Sequence, residues 1–173
     1  MILADNLTLS PIRKISGEVI LPGSKSLSNR ILLLSMLAEG KTKIKNLLNS
    51  DDIRRMVEAL EKLGIKVEEN RAENHISVSG TSGIIPVSEA TLMLGNAGTA
   101  IRPLTAAMTL GHGRFVLDGV ARMRERPIID LIEGLTQLGA NLRCLNGTDC
   151  PPVEVIADGL PGGKTRLSGA ISS

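Results

Sequence analysis

Two stretches of the chain carry the same hydrophobic pattern, 75 places apart. Between Asp51 and Leu63 the apolar residues are Ile53, Met56, Val57, Leu60 and Leu63. Between Pro127 and Leu138 the matching ones are Ile128, Leu131, Ile132, Leu135 and Leu138. A spacing near 3.6 predicts a helix with one apolar face in each stretch. Gly64 and Gly139 follow them, as expected of residues just past a helix end. Ser50 and Asp51 are candidate N-caps for the first helix, and Pro127 suits the first turn of the second.

The flanking segments extend the match into a repeat. The first unit reads as strand 17–21, helix 26–38, strand 41–46, helix 51–63, strand 65–68 and strand 75–79. The second reads as strand 90–94, helix 98–110, strand 113–118, helix 127–138, strand 140–144 and strand 152–156. The predicted class is therefore α/β, built of βαβαββ units joined by the Gly/Ser/Pro-rich segment 80–88. The repeat gives units at 18–82 and 83–160 and the start of a third unit at 161–173. The apolar faces made by Ile53, Met56, Leu60, Ile128, Leu131 and Leu135 are expected to pack in a core shared by three units. With the third unit opening only at Lys164, the chain reads as a fragment of a longer protein, inactive alone.

Each unit places a polar, Gly- or Ser-rich turn between its first strand and first helix. The turns are Gly23-Ser24-Lys25-Ser26, with Arg30 a turn later, then Gly95-Asn96-Ala97-Gly98-Thr99 with Arg102-Pro103, and Ser168-Gly169-Ala170-Ile171-Ser172-Ser173. Free backbone N–H groups and the positive end of a helix dipole converge at such a junction, and Lys25 and Arg30 add charge. A second basic cluster, Arg122-Met123-Arg124-Glu125-Arg126, precedes the other helix of the second unit. A single such turn is ordinarily just a cap, and the arginines taken alone fit a solvated turn equally well. Three equivalent junctions, two of them cationic, point instead to a site for phosphate or carboxylate groups. A P-loop is excluded by spacing, since Asp158 stands where the first glycine before Gly163-Lys164-Thr165 is required.

Composition narrows the reading. Among 173 residues, 42% are hydrophobic and the net charge is +2, so no basic field calls for nucleic acid. Phe115 is the one aromatic residue, which leaves no platform for stacking bases and makes the core aliphatic. No apolar run approaches the ~20 residues of a membrane span, and the first residues lack a secretory pattern. Cys144 and Cys150 read as ordinary reduced cysteines, and His75 and His112 as surface or loop residues.

Four separated motifs, in order, resemble EPSP synthase, the enolpyruvylshikimate-phosphate synthase family. They are Leu21-Pro22-Gly23-Ser24-Lys25-Ser26 with Ser28-Asn29-Arg30, Leu94 to Ala100 with Arg102-Pro103, Arg122-Met123 with Glu125-Arg126-Pro127-Ile128, and Gly169 with Ser172-Ser173. The similarity spans the chain and corresponds to the N-terminal two-fifths of a family member. It implies a two-lobed inside-out α/β barrel with three units per lobe, and assigns residues 1–17 to the other lobe.

The implied reaction transfers the enolpyruvyl group of phosphoenolpyruvate to the 5-hydroxyl of shikimate 3-phosphate and releases phosphate, without metal or other cofactor. The resemblance carries Lys25 to both substrates, Ser26, Arg30, Ser172 and Ser173 to shikimate 3-phosphate, and Asn96, Gly98 and Arg126 to phosphoenolpyruvate. Lys25 and Arg126 take the catalytic role of offsetting charge, and the acid/base groups come from the remainder of the enzyme. Arg102 and Arg124 fit packing or ion-pair roles as well as ligand contact. Gly98, Thr99 and Pro103 resemble the glyphosate-sensitive class. The expected partners are the two substrates and a complementary C-terminal polypeptide, not nucleic acid or membrane, and the expected compartment is the cytoplasm. Two other readings are a UDP-N-acetylglucosamine enolpyruvyl transferase, against which the first two motifs speak, and a non-catalytic anion- or RNA-binding module.

Overall fold

A computed structural model describes residues 10–70 and 75–167. Its elements follow the order α1 (Lys25–Leu37), β1 (Lys41–Lys45), α2 (Asp51–Lys62), β2 (Val67–Asn70), β3 (His75–Ser79), β4 (Glu89–Met93), α3 (Gly98–Met108), β5 (His112–Asp118), α4 (Ile129–Gln137), β6 (Asn141–Cys144) and β7 (Val153–Asp158). A single 3-10 turn, Met123–Glu125, precedes α4. The expected βαβαββ order is complete in the second unit, while the first shows αβαββ.

The two amphipathic helices end alike. Gly64 and Gly139 take φ of 80° and 94°, a region that glycine enters without a Cβ penalty. The amide of Ile65 then reaches back to the Leu60 carbonyl and that of Ala140 to Leu135, both at 3.0 Å. This is the same C-terminal cap twice. The starts differ from expectation. Ser50 stands at the N-cap position of α2, yet its hydroxyl makes no capping bond and is buried without a partner. Helix α4 begins at Ile129, not Pro127, because the 3-10 turn draws the chain aside and the Ile128 amide goes to the Asp149 carbonyl at 2.7 Å.

The strands form two sheets. The first has the order β1-β3-β2 and is antiparallel throughout. The second has the order β4-β5-β7-β6, with β4 and β5 parallel and the other pairs antiparallel. Helices α1 and α2 pack on the first sheet, α3 and α4 on the second, and α1 and α2 both meet α3. One aliphatic cluster joins them all, with Phe115 fully buried inside it.

Two expectations fail. The segment 17–21 is not a strand: Val19, Ile20 and Leu21 are 79%, 92% and 74% exposed. Its counterpart β4 owes its identity to a parallel ladder with β5. Here β1 pairs with β3 alone among the described residues, and 17–21 forms no ladder. Apolar sequence without a hydrogen-bonding partner does not make a strand. Nor do the α2 and α4 faces await a third unit. Ile53, Met56, Leu60, Ile128 and Leu135 are all buried in this chain, and Leu131 is half-buried; Leu167 and Pro161 already stand against α4 and its cap at Gly134 and Gly139. Among the helices, large apolar side chains left in water lie on α1, at Leu27 and Leu34.

Candidate anion site at two helix N-termini

Helix α1 opens on Ser24, whose hydroxyl accepts from the Leu27 amide at 3.4 Å. Lys25 is its first residue. The Lys25 ammonium is half-exposed and lies 3.1 Å from an Asp52 carboxylate oxygen in the first turn of α2. Ser26 and Arg30, four residues apart, share a face of the helix; Ser26 is half-buried and Arg30 exposed.

Helix α3 opens on Gly98, after a loop that the second sheet holds in place. The Leu94 amide donates to the Asp118 carbonyl at 2.8 Å, and the Val120 amide to the Gly95 carbonyl at 3.0 Å. Asn96 is exposed on this loop. Gly98 faces the Arg126 guanidinium: a Cβ there would lie 2.6 Å from both terminal nitrogens and 2.8 Å from Cζ. Only a glycine lets the cation sit this close to the backbone.

The charges at the four helix starts divide by position in the repeat. The first turns of α2 and α4 carry acidic residues, Asp51, Asp52 and Asp130, which complement the helix dipole. The first turns of α1 and α3 carry none. Instead Lys25 stands at one and Arg126 leans on the other. A cation at the positive end of a helix is unfavourable by roughly 0.3–1 kcal/mol, so this arrangement stores affinity for an anion. The N-cap of α3 is Ala97, which provides no side-chain acceptor; the Gly98 amide turns back to the Asn96 carbonyl at 2.9 Å and the Ala100 amide to the Ala97 carbonyl at 2.9 Å.

The two helix starts are tied together. The Asn29 amide nitrogen donates to the Thr99 hydroxyl at 2.7 Å. The start of α2 closes the gap between the loops, since Arg55 and Asp51 side chains stand 3.5 and 3.6 Å from the Cβ position of Gly95. Thus Lys25, Asp52, the 95–98 loop and Arg126 form one continuous surface. Between Gly98, Arg102, Arg126 and Pro127 lies a cleft of about 10 Å3, room for a single water.

The other cations of the basic cluster have separate work. Arg124 makes two hydrogen bonds to the buried Asp118 carboxylate, at 2.9 and 2.5 Å. Burial raises the Asp118 pKa; the Arg124 hydrogen bond, the Gly119 amide and the Arg124 charge outweigh it, holding the carboxyl below its usual range. Arg124 therefore braces the end of β5. Arg102 donates to the Pro127 carbonyl at 2.5 Å, and Arg122 pairs with Glu125 at 2.7 Å. Gly169, Ser172 and Ser173 lie outside the described residues.

Sequence reasoning passed over Asp52 and Asp118, and named Asn29 and Thr99 only within motifs, not as partners of each other. Asn29 had a signal available: a polar residue within an apolar helical run. The remaining expectations concern bystanders. His112 is exposed beside Asp158 at 3.1 Å. Cys144 and Cys150 are both free, and burial pushes the Cys144 thiol up. Among the described residues, no group of His, Cys, Asp and Glu could hold a metal ion, and no helix is long and apolar enough to cross a membrane.

Comparison with known proteins adds independent information. The family described as EPSP synthase (3-phosphoshikimate 1-carboxyvinyltransferase) matches residues 9–173. The chloroplastic 3-phosphoshikimate 1-carboxyvinyltransferase of Brassica napus is 60% identical, over 98% of this chain and 34% of the relative. The 3-phosphoshikimate 1-carboxyvinyltransferase of Shewanella loihica is 52% identical, over 96% of this chain and 39% of the relative. A solved EPSP synthase from Acinetobacter baumannii superposes with a TM-score of 0.79 at 24% identity, over 91% of this chain and 36% of that one. A second A. baumannii structure gives 0.72 at 26% identity, over 88% and 33%. The chain spans about a third of the length of the first of these relatives.

Proposed function

The chain belongs to the EPSP synthase family, and we propose that it contributes two substrate-gripping helix starts to an enzyme that transfers an enolpyruvyl group from phosphoenolpyruvate to shikimate 3-phosphate. The observation that carries this is the pairing of Lys25 and Arg126 with helix N-termini lacking any first-turn carboxylate. Both substrates are anions, and the site is positive where the fold's other helix starts are neutralised.

In this reading the 5-hydroxyl oxygen adds to C2 of phosphoenolpyruvate while its CH2 carbon takes up a proton. The tetrahedral adduct then loses phosphate by C–O cleavage and a methyl proton to restore the enol ether. Lys25 contacts both substrates, Ser26 and Arg30 hold the 3-phosphate, and Ser172 and Ser173 join them there. The loop at Asn96 and Gly98 receives phosphoenolpyruvate, with Arg126 on its charged groups. Lys25 and Arg126 offset charge as the adduct forms and collapses. The groups that move the protons belong to the remainder of the family length.

The division into an arm (1–17), two units (18–82 and 83–160) and a third beginning at 161 is part of the same proposal, as is association with a polypeptide carrying the remainder. Transfer to a UDP-sugar is the reading it displaces, at the level of substrate. Cytoplasmic placement competes with the plastid, since the plant relatives are named chloroplastic, and subcellular fractionation decides between them.

The test is phosphate release by the chain completed to family length, given phosphoenolpyruvate with shikimate 3-phosphate or with UDP-N-acetylglucosamine. Turnover with the first acceptor alone supports the proposal. Turnover with the nucleotide sugar, or with neither, overturns it.

A further inference from the structure

Helix α4 ends at Gln137, whose side-chain amide faces the main chain of Arg166. Its nitrogen donates to the Arg166 carbonyl at 3.2 Å, and its oxygen accepts from the Arg166 amide at 2.9 Å. One donor and one acceptor set against a single residue are what a neighbouring strand would offer. The same segment meets α4 at three more points. The Thr165 hydroxyl donates to the Gly134 carbonyl at 3.1 Å, and the Gly162 amide to the Leu138 carbonyl at 3.2 Å. Leu167 Cδ2 stands 2.5 Å from where a Cβ on Gly134 would lie. Glycine is among the poorest residues for a helix interior, and the space it leaves open in α4 is the space that Leu167 fills.

The repeat gives this contact a meaning. The residues 75 places earlier are Lys62 and Thr91. Lys62 ends α2, and its ammonium donates to the Thr91 carbonyl at 3.4 Å. Thr91 lies in β4, which leads into the 95–98 loop. Pro86 packs on Gly64 as Pro161 packs on Gly139, at the same offset. Residues 161–167 thus lie on α4 as residues 86–92 lie on α2, and they lead towards the third junction as β4 leads to the second. One difference separates the two approaches. β4 is held by a ladder with β5, whereas residues 159–167 form no strand. The Gln137 side chain does for Arg166 what β5 does for β4.

We propose that Gln137 is a positioning residue for the shikimate 3-phosphate half of the site, because it fixes the chain that enters the third junction. The inference rests on the functional reading above, which puts Ser172 and Ser173 on that substrate, and deepens it. Gln137 and its two bonds to Arg166 are exposed, so they add little to the stability of the whole fold. Their effect is on preorganisation. Chain that α4 already holds at Arg166 has less freedom to lose when the phosphate binds beyond it. Phosphoenolpyruvate is received on a loop that β5 secures, so Gln137 acts on one substrate and not on the other.

The experiment uses the enzyme completed to family length. Calorimetry gives Kd for shikimate 3-phosphate, and steady-state kinetics at saturating shikimate 3-phosphate give KM for phosphoenolpyruvate. Gln137→Leu keeps the side chain's bulk and helix propensity and removes both bonds to Arg166. It should raise Kd for shikimate 3-phosphate about fivefold or more and change KM for phosphoenolpyruvate by less than about twofold. Its melting temperature should stay within about 2 °C of wild type. Gln137→Glu keeps the acceptor for the Arg166 amide and should restore Kd to within about twofold. Lys62→Leu breaks the corresponding bond where β5 already holds the strand, and should move either constant by less than about twofold. A merely structural contact would lower the melting temperature of Gln137→Leu and leave Kd alone. An unchanged Kd in Gln137→Leu, an equal rise in both constants, or a matching rise in Lys62→Leu overturns the proposal. Failure of wild type to bind shikimate 3-phosphate at all overturns the functional reading itself.

Discussion

An alanine methyl at position 98 would stand 2.6 Å from both terminal nitrogens of Arg126. Carbon and nitrogen do not approach so closely, so the guanidinium must withdraw or the α3 start must shift. In the completed enzyme, Gly98→Ala should raise the inhibition constant for glyphosate about tenfold more than it raises KM for phosphoenolpyruvate, because the added methyl crowds the bulkier ligand. Steady-state kinetics against both compounds check this. An equal rise in the two constants shows that Gly98 does not bound the shared subsite.

Lys25→Met keeps most of the side chain's length and removes its charge. If Lys25 touches both anions, the completed enzyme should lose ~30- to 1000-fold in kcat/KM, corresponding to ~2–4 kcal/mol of transition-state stabilisation. The circular dichroism spectrum should not change, since the ammonium is half-exposed and pairs with Asp52. Retention of more than half the wild-type kcat/KM removes Lys25 from the site.

How far the sequence reveals this site depends on the kind of contact. The helices α2 and α4 and their glycine caps were legible because amphipathic spacing and C-cap chemistry are local. The cations at Lys25 and Arg126 were legible as charges in Gly/Ser-rich turns. Their partners were not. Nothing in the spacing of Asp52 says that it crosses to Lys25, and nothing in Arg122-Met123-Arg124-Glu125-Arg126 says which arginine turns inward to Asp118. Those assignments depend on how elements pack. The strand expected at 17–21 failed for a related reason, since its apolar residues specify a strand only when an edge is there to receive them.

The Asp118–Arg124 pair predicts a pH dependence. Asp118 is held below its usual 3.8 in the folded chain. Its contribution is complete at pH above that ordinary value and is lost as pH falls below it, toward the lowered folded value. Asp118→Asn should cost about 1–2 kcal/mol near neutral pH and should flatten the decline of the melting temperature between about pH 5 and 3. Thermal unfolding of both proteins across this range is the measurement. A parallel decline in wild type and variant means that the pair does not set the acid sensitivity.

Backbone amide exchange separates a strand from a sequence that resembles one. In the 173-residue chain, β4 is paired along its length with β5, and its ladder amides should be protected. Residues 17–21 are exposed and outside any ladder, so their amides should exchange at nearly the rate of an unstructured peptide. Ile53, Met56 and Leu60 on α2 are buried by the two units alone, so the α2 amides should be protected too. Fast exchange in α2 would mean that the shared core needs further chain to close. Slow exchange at Val19 to Leu21 would mean that the segment finds an edge in solution. The natural candidate is the side of β1 away from β3, because the repeat places β4 on the corresponding side of β5.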